Sequence, residues 1–397
     1  MILEHLPLEV VTFLEEIEKC GFSLCLVGGV VRDYFYWSTL GHDLDFEIRA
    51  SRDKNILKEE WSVYLKKLHH LFDEKKIAYT QLPYLIYRVQ LGAFCFEFSS
   101  PRIENNIPDN LTHHHFEALI DPNLTYDLSF KRRDLTFNAI GIELNLALKS
   151  EKIIDPFDGV NDLKNKLLKN INDDFFCDAV RFLRLVRFKI KFDRFKIDSH
   201  LSENLYKFNL SSLSAYHFKE ELFKSRPGFF LNIFNEFVIL YKINLPIQFH
   251  FLSGFRFNEH LKTEDELLAF VFLQKRNQAE SVVSLFSMPH KKIKSLASFY
   301  DSLQNIRSFL QIDFVKLLSC PISEALDHPI LKDLKNLEEK KQWRFVLQLE
   351  SSPQTILVSW DDWEKVKVDL DEVNQIKKEQ RSYYQYYKTI KMKFAHD

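Results

Sequence analysis

Two acids, two glycines and a group of arginines have the types and spacing that chemistry on a phosphate requires. Asp43 and Asp45 stand two apart in a segment, 43–48, that reads as a strand. Period-2 geometry therefore points both carboxylates to one face. Just upstream, Gly28-Gly29 follows an apolar run, 22–27, and precedes a helical stretch, 30–37. A strand that turns through glycines into a helix offers bare N–H groups, at the positive end of a helix dipole, to an anion. Arg32 lies one turn into that helix. Paired carboxylates beside a phosphate cradle are what metal-assisted nucleotidyl transfer needs. The chain has only nine glycines, so two side by side at this point carry weight.

Other residues suited to this chemistry lie further on. Glu97 sits among aromatics in the strand-like run 94–98, an odd place for a lone acid. It completes a three-carboxylate metal cluster if its strand pairs beside the Asp43–Asp45 strand; otherwise it faces solvent or pairs with a cation such as Arg102. Lys131-Arg132-Arg133-Asp134 is followed by Asn138. Guanidinium forks match phosphate oxygens, and an amide can sense a ribose hydroxyl. Asp178 and Arg181 are three apart on an expected helix, 171–188, and share an edge. One reading is an ordinary surface pair. The other is a base reader, because an acceptor beside a donor fits cytosine and adenine and mismatches uracil and guanine.

Read together, Gly28-Gly29-x-Val-Arg32-Asp33 with Asp43-x-Asp45 resembles the first motif of the class II tRNA nucleotidyltransferases and bacterial poly(A) polymerases, within the DNA polymerase beta superfamily. Arg132-Arg133-Asp134 with Asn138-Ala139 resembles the second motif. Asp155-Pro-Phe-Asp-Gly159 resembles the third, with Asp158 where Gly or Asn is more usual. Cys177-Asp178-x-x-Arg181 resembles the fourth, with Cys177 in place of Glu. Leu213–Lys224 resembles the fifth, in which Glu221 fits and His217 replaces Arg.

The resemblance covers about residues 20–225. It implies an α+β fold, a nucleotidyltransferase head over 1–150, a helical neck over 151–230, a body over 231–335 and a tail over 336–397. It implies addition of C, C and A to the tRNA 3′ end from CTP and ATP, with two Mg²⁺ ions on Asp43 and Asp45. Gly28, Gly29, Arg32, Arg132, Arg133 and Asn138 would hold the triphosphate and sugar. Asp178 and Arg181 would select the base, supported by Arg184 and Glu221. The stretch 102–121 occupies the place of the family's flexible loop, whose presence argues against an enzyme that adds only CC. An enzyme that adds only the final A, a poly(A) polymerase, and a protein that binds RNA or nucleotide without catalysis are the alternatives.

The remaining features bound this reading. The chain of 397 residues suffices for two to four compact units. Its net charge of −2 means that any RNA-binding surface must be a local patch. Five cysteines without C-x-x-C spacing favour reduced thiols in a cytoplasm. No signal peptide is expected, since the first twenty residues carry acids, and no run of eighteen apolar residues exists to span a membrane. Residues 100–124 read as a long loop rich in Pro, Asn and Asp. Adjacent His113, His114 and His115 diverge, so zinc is not expected there. Beyond about residue 150 helical signals dominate. The run 377–388 mixes cations with tyrosines and reads as a surface helix or an RNA-contacting one. Nothing in the sequence suggests a protein partner.

Overall fold

The computed structural model describes residues 2–51, 54–106, 116–211, 213–252, 255–257, 261–294 and 297. His113–His115, the expected tail over 336–397 and the run 377–388 lie outside the described residues. The chain divides into two compact units. One is Met1–Ser214 with Phe237–Asn244, and the other is Ala215–Glu236 with the described residues from Leu245 onward. The boundary expected at residue 150 falls inside the first unit, at the start of a strand that pairs into its sheet.

That sheet has seven strands. In chain order they are β1 (Phe22–Val27), β2 (Asp43–Ala50), β3 (Tyr79–Leu82), β4 (Ile86–Leu91), β5 (Phe94–Ser99), β8 (Gly141–Asn145) and β9 (Ser150–Ile154). They lie side by side as β3-β4-β5-β2-β1-β8-β9. All neighbours are antiparallel except β2 and β5, which run parallel with Asp45 opposite Glu97. The expected strand 94–98 is therefore present as β5, with β4 paired against it. The short β3 and the β8–β9 hairpin add edges that the sequence reading did not single out.

Alternation decides what each face carries. Phe46, Phe96 and Phe98 are fully buried on one face, where helices α1 (Leu8–Lys19) and α4 (Lys66–Glu74) cover them through Phe13 and Phe72. The opposite face therefore receives Asp43, Asp45 and Glu47. The first helix begins one residue after Pro7, which holds the N-cap position. Helix α2 (Gly29–Trp37) follows β1 directly. Ahead of α4, a 3₁₀ turn at Lys58–Glu60 leads into α3 (Trp61–Tyr64). Trp61 fixes this corner, with its ring buried and its Nε1 donating to Ser100 at 2.9 Å.

The stretch expected to be a loop is strand-like on both flanks. Residues Arg102–Asn106 (β6) and Phe116–Ile120 (β7) form an antiparallel pair of their own. Pro and Asn pointed to a loop, but Pro101 and Pro122 lie just outside the paired segments, where a missing N–H costs no ladder bond.

Three helices complete the part that concerns the site: α5 (Tyr126–Phe130), α6 (Gly159–Asn165) and α7 (Ala179–Lys191). At α6, Asp155 caps the N–H groups of Gly159 and Val160 at 2.7 and 2.9 Å. Asp158 sits at φ 60°, a left-handed conformation that Gly or Asn adopts more readily, which accounts for the usual residue there. Gly159 is obligatory, since an added Cβ would lie 2.3 Å from the Thr136 carbonyl oxygen. The continuous helix expected over 171–188 is broken. A 3₁₀ turn, Asp173–Cys177, ends at Asp178, whose extended backbone (φ −118°, ψ 112°) starts α7 afresh.

The remaining described helices are α8 (Ser199–Asn204), α9 (Ala215–Phe223), α10 (Pro227–Leu240), α11 (Glu264–Gln274) and α12 (Ala279–Leu285). An α+β head followed by helices is the fold class expected. Among the described residues no helix is long and apolar enough to cross a membrane, and Cys20, Cys25, Cys95 and Cys177 are free thiols.

Candidate active site

The turn between β1 and α2 starts its helix with a glycine at the N-cap. Gly28 occupies the N-cap of α2 at φ 83°, ψ −145°, a conformation open to glycine. Among the described residues no side chain caps the helix, and no acid stands in its first turn, so its leading N–H groups remain available. The glycine is also needed for space. A Cβ there would stand 3.2 Å from Asp45 Oδ2 and 3.7 Å from Arg133 Nη1.

On β2, Asp43 is exposed at the strand's start and Asp45 is half-buried. Burial pushes the Asp45 carboxyl up to about 6, Glu97 and Asp43 push the same way, and Arg133 opposes them. Hard oxygen donors crowded so that one resists ionisation suit a divalent cation, which would relieve that repulsion. Glu97 lies opposite Asp45 in the β2–β5 register. Its carboxylate is bound by Arg88, through Nε at 2.8 Å and also through Nη2, rather than by Arg102. Among the described residues no three His, Cys, Asp or Glu side chains form a ready-made metal group. Further along β2, the buried Glu47 accepts from Arg49 Nη2 at 2.5 Å and from the Ser129 hydroxyl at 3.0 Å. This contact pins α5, from whose end Arg132 and Arg133 depart.

Arg32 and Asn138 are more internal than their expected roles suggest. Arg32 is buried, with its guanidinium facing the rings of Phe188 and Phe192. Its Nε donates to Asp33 and its Nη1 to Asn138 Oδ1, both at 2.7 Å. The Asn138 amide nitrogen donates in turn to Asp134 Oδ1 at 2.7 Å, and Arg184 Nε donates to Asp134 Oδ2 at 2.5 Å. Burial alone would raise the Asp134 carboxyl, but Arg184, with Asn138 and the Leu135 N–H, holds it well below the usual carboxylate range. One hydrogen-bonded line thus joins α2 to α7 through Asp134.

Asp178 and Arg181 meet differently from a pair within one helix. Asp178 Oδ1 caps α7 by accepting from the Val180 N–H at 2.8 Å, leaving Oδ2 3.8 Å from Arg181 Nε. Arg181 Nη2 donates to the Arg132 carbonyl at 2.8 Å.

Arg132, Arg133, Arg181, Gly28 and Asp45 open onto one cleft of about 430 Å³, whose walls also include Gly29, Arg32, Asn138, Asp178 and Arg184. Among the described residues, three buried donors in it have no partner: Arg132 Nε, Arg133 Nε and Arg181 Nη1. Burial and the neighbouring Arg102 and Arg133 push Arg132 down to about 9, so it remains a cation at neutral pH. Unpaired buried guanidinium donors are costly unless an anion takes them up. Asp43 and Glu97 are not among the cleft's lining residues. Glu221 lies in the second unit, buried, with Lys224 Nζ 3.5 Å from its Oε1.

Several cleft residues were not singled out from the sequence. Arg187 continues the three-residue spacing of Arg181 and Arg184 along α7, a signal that was legible. Phe188 reads as core, and Glu104 lies in the stretch read as a loop. Asp134 was visible only as part of a motif.

Residues 24–169 match a family model described as the poly A polymerase head domain. This part of the chain is similar to that head domain. It contains the glycine turn, the β2 acids and the Arg132-Arg133 pair, whereas Asp178, Arg181 and Arg184 lie beyond it. The chain is 32% identical over 220 residues to the CCA-adding enzyme of Ligilactobacillus salivarius, covering 52% of this chain and 48% of that protein. It is 40% identical over 170 residues to the CCA-adding enzyme of Francisella tularensis subsp. novicida, covering 43% and 39%. The chain thus spans about half the length, or less, of these curated relatives. Among solved structures, the Bacillus stearothermophilus CCA-adding enzyme in complex with CTP has a TM-score of 0.59 at 17% identity, covering 92% of this chain and 82% of that one. A CCA-adding enzyme with ATP gives 0.56 at 17% identity, covering 89% and 82%. The head domain and the helices after it share that fold.

Proposed function

We propose that the protein adds C, C and A to the 3′ end of tRNA from CTP and ATP by nucleotidyl transfer. The observation that carries this reading is a single cleft lined at once by the Gly28-Gly29 turn, Asp45, Arg132 and Arg133, and the Asp178–Arg181 pair. The similarity to CCA-adding enzymes supports it. The cytoplasm, where tRNA and reduced thiols coexist, is the compartment that fits.

In this reading the N–H groups at the start of α2 and the guanidinium groups of Arg132 and Arg133 receive the triphosphate. The terminal ribose hydroxyl of the RNA attacks the α-phosphorus, a new phosphodiester bond forms, and the α–β anhydride bond breaks to release pyrophosphate. Asp43 and Asp45 would hold two Mg²⁺ ions, which would supply charge for the leaving pyrophosphate and acidify the attacking hydroxyl; Glu97, paired with Arg88 in this structure, would join them only on leaving that arginine. Asp178 Oδ2 accepts from the exocyclic amine of cytosine or adenine, and Arg181 donates to the adjacent ring nitrogen. Uracil and guanine present a carbonyl and an N–H in those places and would leave buried groups unpaired. Selection of C and A therefore needs no template strand.

Three labelled acceptors test the proposal: tRNA lacking CCA, tRNA ending in CC, and an unrelated RNA. Addition of C and then A to the first, of A to the second, and nothing to the third is expected. Extension of the second alone would instead indicate an A-adding enzyme, and long A tails on the third a poly(A) polymerase. Asp43→Ala should abolish incorporation in the folded protein, and appreciable residual activity would overturn the metal assignment.

A further inference from the structure

The hairpin strand β6 brings one more acid to the cleft, and its charge has the same sign as the expected ligand. Glu104 lines the cleft together with Gly28, Asp45 and Arg132. Its Oε1 accepts from Arg102 Nε at 2.8 Å and stands 3.5 Å from Arg132 Nη1. The three side chains are 18%, 11% and 16% exposed, so water screens this triad only partly. One carboxylate serves two guanidinium groups and satisfies neither fully. Among the described residues, Arg102 Nη1 and Arg132 Nε are buried without a partner. The contact to Arg132 is an ion pair too long for a good hydrogen bond.

We propose that Glu104 sets the affinity of the cleft for polyphosphate: its carboxylate stands in for phosphate at Arg132, and an incoming triphosphate binds by displacing it. The inference rests on the nucleotide reading above. Phosphate oxygens offer several acceptors and can reach the Nε that Glu104 leaves unpaired, so the exchange at Arg132 is favourable. The displaced carboxylate then remains on the wall of a cleft that holds a polyanion, and the two repel. Glu104 thus weakens binding of the substrate and of the leaving pyrophosphate alike. That suits a reaction in which pyrophosphate must depart after each addition. A Glu104 that served only to hold Arg132 in place would act with the opposite sign, because its loss would loosen the phosphate contact.

Titration calorimetry of Glu104→Gln decides between the two. The variant should bind CTP, ATP and pyrophosphate about fivefold more tightly than the wild type, the effect of removing one like charge from a partly screened site. Binding of cytidine, which lacks phosphate, should not change. Glu104→Ala, which removes the charge without replacing the shape, should also tighten pyrophosphate binding. Unchanged or weaker pyrophosphate affinity in whichever of these variants folds, judged by circular dichroism, overturns the proposal. A wild-type protein that binds pyrophosphate but neither CTP nor ATP would sink the nucleotide reading instead, while the pyrophosphate comparison would still decide Glu104.

Discussion

Asp45 makes an uncomfortable anion, and removing its charge should stabilise the metal-free protein while abolishing activity. Burial first, and then Glu97 and Asp43, raise its carboxyl from an ordinary 3.8 to about 6. A rise of that size corresponds to about 3 kcal/mol of differential interaction. The side chain is only half-buried, so water screens part of it, and about 1–2 kcal/mol is the expected yield. The sign follows from linkage. A raised folded-state pKa favours the fold fully below the unfolded value near 4, and that contribution is lost as pH rises through about 6. In EDTA, the wild-type urea midpoint should therefore rise as pH falls from 7.5 to 5. Asp45→Asn should sit above the wild type at pH 7.5 and respond less to pH over that window. Mg²⁺ should narrow the gap by stabilising the wild type more than the variant. Asp45→Asn that is no more stable than wild type in EDTA at pH 7.5 would refute the electrostatic account of the site.

Three further outcomes follow from the same geometry. Gly28→Ala places a side chain at φ 83° and within 3.2 Å of Asp45 Oδ2, so it should cost about 1–3 kcal/mol by denaturant melts and remove most nucleotide binding. Arg184→Met strands the buried Asp134 carboxylate and should cost about 3–5 kcal/mol. Because the Asp134 pKa lies below its ordinary value, its contribution is present at neutral pH and is lost as pH falls below about 4, which wild-type and variant melts at pH 7 and pH 3 would reveal. Asp178→Asn keeps an oxygen for the Val180 cap but changes the face offered to a base. Its helix should persist by circular dichroism while competition between CTP and UTP shifts toward UTP by at least tenfold.

What the sequence determined by itself is local in origin. The glycine turn and the placement of Asp43 and Asp45 on one face follow from periods and backbone permissions that neighbouring residues set. The arginine pair and the Asp178–Arg181 spacing were legible for the same reason. Tertiary structure alone decided which of these groups share a cleft. Glu97 came to lie opposite Asp45 because β2 and β5 pair in parallel, and it was claimed by Arg88 because β4 pairs on its other side. Asp178 became a helix cap rather than a mid-helix residue because the chain turns there. Arg32 and Asn138 were drawn into a buried line to Asp134, and Glu104 reached Arg132 through a hairpin that read as a loop. Contacts such as Arg32 to Asn138, 106 residues apart, and Glu104 to Arg132 depend on sheet register and helix docking. A linear pattern carries no such distances.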